Sequence, residues 1–358
     1  MDDIKESVRK AAESASKSLK KVSIKMCDLN YGNVGRQALD VVLPCLLRKG
    51  LPSTVKEVQS VSLATLVSLS KSAGSHIKPH IPLLITALLE SFSGLEPQVM
   101  SYLSLHLASS QESQEKLDNV RIAATKASPM MDTINTCVQY VDVEVLTELV
   151  PRLNDLIKSG IGVGTKAGCA NLVIMIVQQC PLDLEPFAGK ILGSLLSGLN
   201  DKSSAVRKLN ATAIGHLVKT AKDSSVEKLL KRLHSWYMEK DGIVIYYDLA
   251  AMPSTPCPHI TTMCLKRHAA IAMPLAFLAM HEEVKDASKS EEGKESVWED
   301  VWLDSTPGTE SGIKLYLKEI VSLCEESLNH ASWSRKAQTA RALKAIASKL
   351  KSNLQAPI

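Results

Sequence analysis

Aromatic side chains are scarce in this chain of 358 residues: Phe, Trp and Tyr together make up 4%, with 3 Phe and 4 Trp. A core built without them must be aliphatic, and the apolar content of 45% is ample for one. Small aliphatics pack well between helices, whereas sandwiches of sheets draw on aromatic and β-branched runs. Long hydrophobic runs are also missing. Even Ala167–Val177 falls short of the ~18 apolar residues needed to span a bilayer. No apolar segment follows the opening Met-Asp-Asp, so no secretory signal is read. The 8 cysteines form no dense framework, which reads as reduced, buried thiols of an intracellular protein. A formal charge of +4 is too small to argue for nucleic acid.

What charge there is lies unevenly. Glu282–Glu310 holds ten acidic and three basic residues, and its composition reads as a solvated acidic loop. Residues 204–240 hold eight basic side chains against three acidic ones. Seven of these, Arg207, Lys208, Lys219, Lys222, Lys228, Lys231 and Arg232, form the candidate surface for an acidic protein partner. A second basic cluster, Lys17–Lys25, reads as an exposed face more than as a membrane anchor.

The chain repeats itself. In residues 199–237, Val206, Leu209, Ala213 and Leu217 recur at helical spacing, and Asp201 or Ser203 can cap the helix start. A second stripe, Val226, Leu229, Leu230, Leu233 and Tyr237, follows a polar break. Neither stripe is satisfied by one hairpin, so the pair must stack on others. An apolar–Pro–apolar frame recurs around Pro44, Pro82, Pro151, Pro186 and Pro274, at steps of 38, 69, 35 and 88 residues. The longer steps are close to double the shorter ones. Proline suits the first turn of a helix. Several of these helices run into glycine (Gly50, Gly94, Gly160, Gly198), where a left-handed C-terminal cap is expected. Partner helices carry a basic residue near their start, at Arg9, Arg121, Lys166, Arg207 and Arg335. Two helices per 35–45 residues is the mark of an α-solenoid, and the Asp, Arg and Pro positions point to the HEAT type.

Three motifs suggest chemistry and fall short of it. Gly160-Ile-Gly-Val-Gly-Thr-Lys166 resembles a phosphate loop, but Thr precedes Lys, no Gly stands directly before it, and a helix precedes the loop. It reads as a turn between repeats. Cys257, His259, Cys264 and His268 are zinc-type ligands at too loose a spacing. His76, His80 and His216 have no nucleophile partner at catalytic spacing, and no Gly-x-Ser-x-Gly elbow occurs. No catalytic, cofactor or metal site is assigned.

Particular stretches are more specific than this periodicity. Ser128–Asp142 (SPMMDTINTCVQYVD), the run around Pro151 (VPRLNDLIKSGIGVGTKAGCANLV), Asp223–Lys240, Met273–Glu283 and Ser311–Glu319 closely resemble the C-terminal part of the large proteasome adaptor and scaffold family. That resemblance implies a long HEAT-repeat protein associated with the 26S proteasome, bridging or regulating its core and regulatory particles. Members of that family are several times longer. Ile243–Ala272 departs from the family's helical repeat, with prolines at 253, 256 and 258 and a fourth at 274 just beyond.

The expectation is therefore an all-α HEAT-type α-solenoid, a superhelix of six to eight stacked antiparallel helix pairs. Repeats would occupy 1–242, an irregular Pro-rich segment 243–272, and further helices 273–358 with the acidic loop at 282–310. The expected function is a non-enzymatic scaffold binding core and regulatory proteasome subunits, without nucleic acid or membrane insertion. The expected location is the cytoplasm, with the nucleus as a second compartment. A HEAT-type transport or trafficking adaptor is the alternative, and the mild basicity counts against it.

Overall fold

The structure, a computed structural model, describes residues 4–94, 111–239, 268–281 and 297–354. Among them all regular structure is helical, and it forms two compact units, Met1–Ala213 and Ile214–Ile358. The fold is all-α and of the HEAT type.

In the first unit the helices are α1 (Glu6–Met26), α2 (Gly32–Cys45), α3 (Lys56–Ala73), α4 (Ile81–Gly94), α5 (Gln111–Lys126), α6 (Pro129–Val138), α7 (Val143–Ser159), α8 (Val163–Gln179) and α9 (Pro181–Gly198). The next helix, α10 (Ser204–Val218), crosses the division between units. One layer runs α4–α7–α9 and a second runs α3–α6–α8, each helix packing on the next in its row. Leu146, Leu149, Val150 and Leu153 form the buried stripe of α7, between Leu84, Ile85 and Leu88 of α4 and Leu184, Ala188 and Ile191 of α9. Burying such side chains supplies about 1.5–3 kcal/mol each, which is why every pair needs neighbours on both sides.

The recurring prolines depart from the first-turn expectation. Pro82 is the second residue of α4, but Pro44, Pro151 and Pro186 lie inside helices. Each removes a hydrogen bond to the carbonyl four residues back. Helix α7 continues through Pro151 because Leu149, Val150 and Leu153 on either side of it are buried. The left-handed glycine caps are corrected as well. Positive φ occurs at Gly32, Gly74, Gly162 and Gly308 among the described residues, whereas Gly160 has φ −56°. Gly50 and Gly198 serve close approach instead: a Cβ at Gly198 would stand 2.6 Å from the buried Asn210 side chain, and one at Gly50 2.3 Å from Ser62 Oγ.

In the second unit α11 (Asp223–Glu239) packs on α12 (Ala269–Ala279), followed by α13 (Val297–Ser305), α14 (Thr309–Leu315), α15 (Leu317–Leu328) and α16 (Trp333–Leu354). Helix α12 reads AAIAMPLAFLA and touches α11, α13, α15 and α16, so it is apolar on every side and tolerates Pro274 in its interior. Trp302 is fully buried against Phe277, with ring centres 5.2 Å apart, and Tyr316 at 6.5 Å. Gly312 makes room for the indole, since a Cβ there would meet it at 2.7 Å. The start of α16 is fastened by polar groups. Gln338 donates to Tyr237 Oη (3.0 Å) and to the Leu278 carbonyl (2.7 Å), and buried Arg335 lies 4.5 Å over the Tyr237 ring.

Helix α11 thus shares its core with α12 and α16. The division between compact units lies at 213/214, N-terminal to the boundary at 242 drawn from composition. The Pro-rich segment 243–272 falls outside the described residues up to 267, and the acidic loop does so from 282 to 296.

Candidate partner-binding surface

The seven candidate basic residues do not form one free surface. In the first unit Arg207 donates to the carbonyls of Asp201 (2.9 Å) and Lys202 (3.3 Å), closing the turn ahead of α10. Lys208 reaches Glu115 of α5 at 2.8 Å, and that lysine holds the Glu115 carboxyl below its usual range. Both cations have partners within the first unit, and Lys208 keeps an exposed side chain.

These two contacts belong to a strut that spacing alone does not reveal. Helix α5 lies across α8 and the start of α10, with Ile122 packed on Ala167 and Ala205. Buried Asp118 accepts from Ser203 Oγ (2.6 Å), from Arg121 (3.2 Å) and from Gln114 (3.2 Å). Ser203 in turn accepts from the Val206 N–H at 3.4 Å, capping α10. Lys166, at the start of α8, pairs with Asp201 at 2.5 Å. Lys166 therefore ties the start of α8 to the turn ahead of α10. The sequence signal was present in Asp118 and Arg121, three apart on α5.

The remaining five residues lie in the second unit. Among the described residues no ion pair engages Lys219, Lys222 or Lys228. Lys231 pairs with Glu227 four residues back (2.6 Å), and Arg232 sits 5.5 Å over the Trp236 ring. Opposite them Val226, Leu229, Leu233 and Tyr237 are buried. Lys228, Lys231 and Arg232 thus occupy the solvent side of α11. The local potential is felt by His216, whose pKa is lowered by burial first and then by Lys219. Trp236 was not singled out from the sequence, although its spacing of four from Arg232 is a legible cation–π signal.

Elsewhere in the first unit a cleft of about 530 Å³ is lined by Arg36, His76, Lys78, Glu144 and Glu148. Its charges are internally balanced: Lys78 is paired with Asp142, which caps α7, and lies 3.6 Å from Glu144. His80 bonds Asp40 at 2.7 Å. The glycine-rich stretch 160–166 is a packing device. Gly162 has φ +89° and opens α8, while Ser93 donates to the Ile161 carbonyl (2.5 Å) and contacts Thr165 Oγ1 (2.8 Å). Thr165 donates to the Leu89 carbonyl at 2.9 Å. A Cβ at Gly168 would meet Leu89 at 2.8 Å and the Phe92 ring at 3.0 Å. The glycines let α8 approach α4, and the loop's hydroxyls are spent on α4.

The six described cysteines are free thiols. Burial pushes Cys137 and Cys169 up to about 12 and Cys180 and Cys324 up to about 11, so these thiols stay protonated and unreactive. His268 lies 3.8 Å from Asp223, and its sequence companions Cys257, His259 and Cys264 fall outside the described residues. Among the described residues no cluster of metal ligands occurs, and no helix is long and apolar enough to cross a membrane.

The family profile described as "Proteasome adapter and scaffold protein ECM29, HEAT-repeat domain" matches residues 77–238. The human "Proteasome adapter and scaffold protein ECM29" is 51% identical over 346 residues, which is 97% of this chain and 18% of that protein. The Drosophila melanogaster "Proteasome-associated protein ECM29 homolog" is 36% identical over 100% of this chain and 18% of its own length. The Saccharomyces cerevisiae "Proteasome component ECM29" is 27% identical over 90% of this chain and 17% of its own length. The chain therefore spans less than a fifth of each of these curated relatives. Among solved structures, Kap121p bound to RanGTP covers 97% of the chain at 13% identity and a TM-score of 0.38, with 37% of that protein aligned.

Proposed function

We propose, from the match of residues 77–238 to the HEAT-repeat domain profile of ECM29, that this chain is a non-enzymatic scaffold segment that binds the 26S proteasome. The observation that carries the reading is the 51% identity, along nearly the whole chain, to a protein named as a proteasome adapter and scaffold. Stacked helix pairs offer a long surface on which many modest contacts sum, without a single deep pocket. The exposed side of α11 and the turn before it supply the charge. Lys219, Lys222, Lys228 and Arg232 would meet an acidic surface of a core or regulatory subunit, with Lys231 partly offset by Glu227. Such a contact steers association and weakens with salt. The setting this implies is the cytoplasm, with the nucleus as a second compartment.

Affinity capture of the tagged chain from lysate, at low and raised salt, tests the reading. Core and regulatory subunits are expected at low salt. Lys222→Glu with Lys228→Glu and Arg232→Glu should sharply reduce their recovery while helicity is unchanged. Recovery of no proteasome subunit would refute the reading. Undiminished recovery with the triple variant would move the contact off α11.

A further inference from the structure

The cleft of about 530 Å³ in the first unit is walled by three segments of chain. Helix α2 supplies Arg36, the turn Gly74–His80 supplies His76 and Lys78, and α7 supplies Glu144 and Glu148. Pro82 and Val145, both buried, line it as well. Lys78 is already taken by Asp142, with Glu144 at 3.6 Å. Among the described residues no ion pair engages Arg36 or Glu148, and both are exposed. Glu144 and Glu148 stand four apart on α7 and so share a face. His76 adds a third unmatched group, since its Nδ1 is buried without a hydrogen-bond partner. Buried polar atoms are nearly always paired, so an orphan on the wall of a cleft marks a place for a ligand atom.

The charges on the walls select the ligand. A phosphate dianion would suit Arg36 and be repelled by two carboxylates, whereas a simple cation would leave Arg36 unmatched. A ligand carrying both charges satisfies both sides. We propose that this cleft takes the C-terminal end of a protein partner whose last residue is arginine or lysine. The terminal carboxylate accepts two N–H groups from the planar fork of Arg36, and a further one from His76 Nδ1. The side-chain cation lies against Glu148 and Glu144, and its aliphatic stem covers Pro82 and Val145. Capture of a chain end is a recurring mode of peptide recognition. One terminal residue brings both charges into a cleft of this size, whereas an internal pair of acid and base would have to bring its main chain in with them. The proposal stands independently of the proteasome reading, since it involves neither α11 nor any named subunit.

The test uses the purified full chain and fluorescent Gly/Ala hexapeptides labelled at the amino end. One ends in arginine as the free acid, one in arginine amide, one in glutamate, and one in alanine with its arginine placed mid-chain. Anisotropy is expected to show the free-acid arginine peptide bound roughly tenfold or more tightly than each of the others. Arg36→Gln should abolish the preference for free acid over amide while arginine is still favoured over glutamate. Glu148→Gln should do the reverse, weakening the choice of arginine and leaving the choice of free acid. Both substitutions are at exposed, unpaired side chains, so the fold is left intact. Amide and free acid binding alike, or the mid-chain arginine peptide binding as tightly as the terminal one, overturns the proposal. So does the lack of saturable binding below about 1 mM. Free arginine, whose ammonium would lie beside Arg36, should compete at least tenfold less well than the hexapeptide; equal competition would make this a small-molecule site and overturn the assignment to a chain end.

Discussion

Replacing Gly162 by alanine should be among the costly single-methyl changes in the first unit. Its backbone stands at φ 89° and ψ 149°, a region that is nearly glycine's alone and costs about 1–3 kcal/mol for other residues. The new Cβ would also lie 2.3 Å from Ser93 Oγ. Ser93 must then turn away from the Ile161 carbonyl and from Thr165 Oγ1, losing two hydrogen bonds worth about 0.5–1.5 kcal/mol each. Against this, alanine restricts the unfolded chain and returns about 0.4–1 kcal/mol. The sum is a loss of about 1–5.5 kcal/mol, read from urea titrations followed by circular dichroism. Gly193 is the control. It lies inside α9 with nothing within 4 Å of an added Cβ, so Gly193→Ala should stabilise by about 0.5–1 kcal/mol. In a double-mutant cycle Ser93→Ala should relieve part of the Gly162→Ala cost, because it removes the hydroxyl that the methyl strikes. Two glycines responding alike, or a Gly162→Ala loss below about 0.5 kcal/mol, would show that the loop is not clamped onto α4.

Other perturbations separate the remaining parts of the argument. Asp118→Ala should destabilise the first unit by about 2–4 kcal/mol, because it removes the buried carboxylate that accepts from Arg121 and the Ser203 hydroxyl; a cost near that of an ordinary surface change in a urea titration would dismiss the strut. Gln338→Leu should cost the second unit about 1–3 kcal/mol by removing the two side-chain hydrogen bonds that tie α16 to Tyr237 Oη and the Leu278 carbonyl. Hydrogen exchange should show α11 losing protection together with α16, and protection that follows α8 instead would contradict the division. Acid should weaken the second unit first through His281, whose pKa is lowered below its ordinary 6.5 by burial and then by Arg341. The unfolded chain takes up that proton more readily, so the stabilisation is complete above about 6.5 and is lost as pH falls toward the folded value. His216, depressed by burial and Lys219, has the same sign. His281→Leu should flatten the decline in urea midpoint between about pH 7 and 5, and an unchanged slope would clear the imidazole.

Sequence alone determined the helical class, the pairing of helices and the family resemblance, because each rests on information local to the chain. Stripes such as Val226, Leu229, Leu233 and Tyr237 repeat at the helical period whatever they later touch, and the matched stretches are runs of identity. Tertiary structure decided what each polar or special residue is for. Arg207 and Lys208 looked like members of one basic surface with Lys228 and Arg232, yet a turn carbonyl and Glu115, 93 residues away in sequence, claim them. The glycines of 160–166 read as a turn between repeats, and only the approach of α4 shows that Ser93 and Phe92 fill the space they leave. Nor does the stripe on α11 say that it packs with α12 and α16 through Gln338 and Arg335, about a hundred residues on. An amphipathic period states that a face must be covered. Which distant segment covers it, and which charges are consumed in doing so, depends on contacts between residues that no local pattern relates.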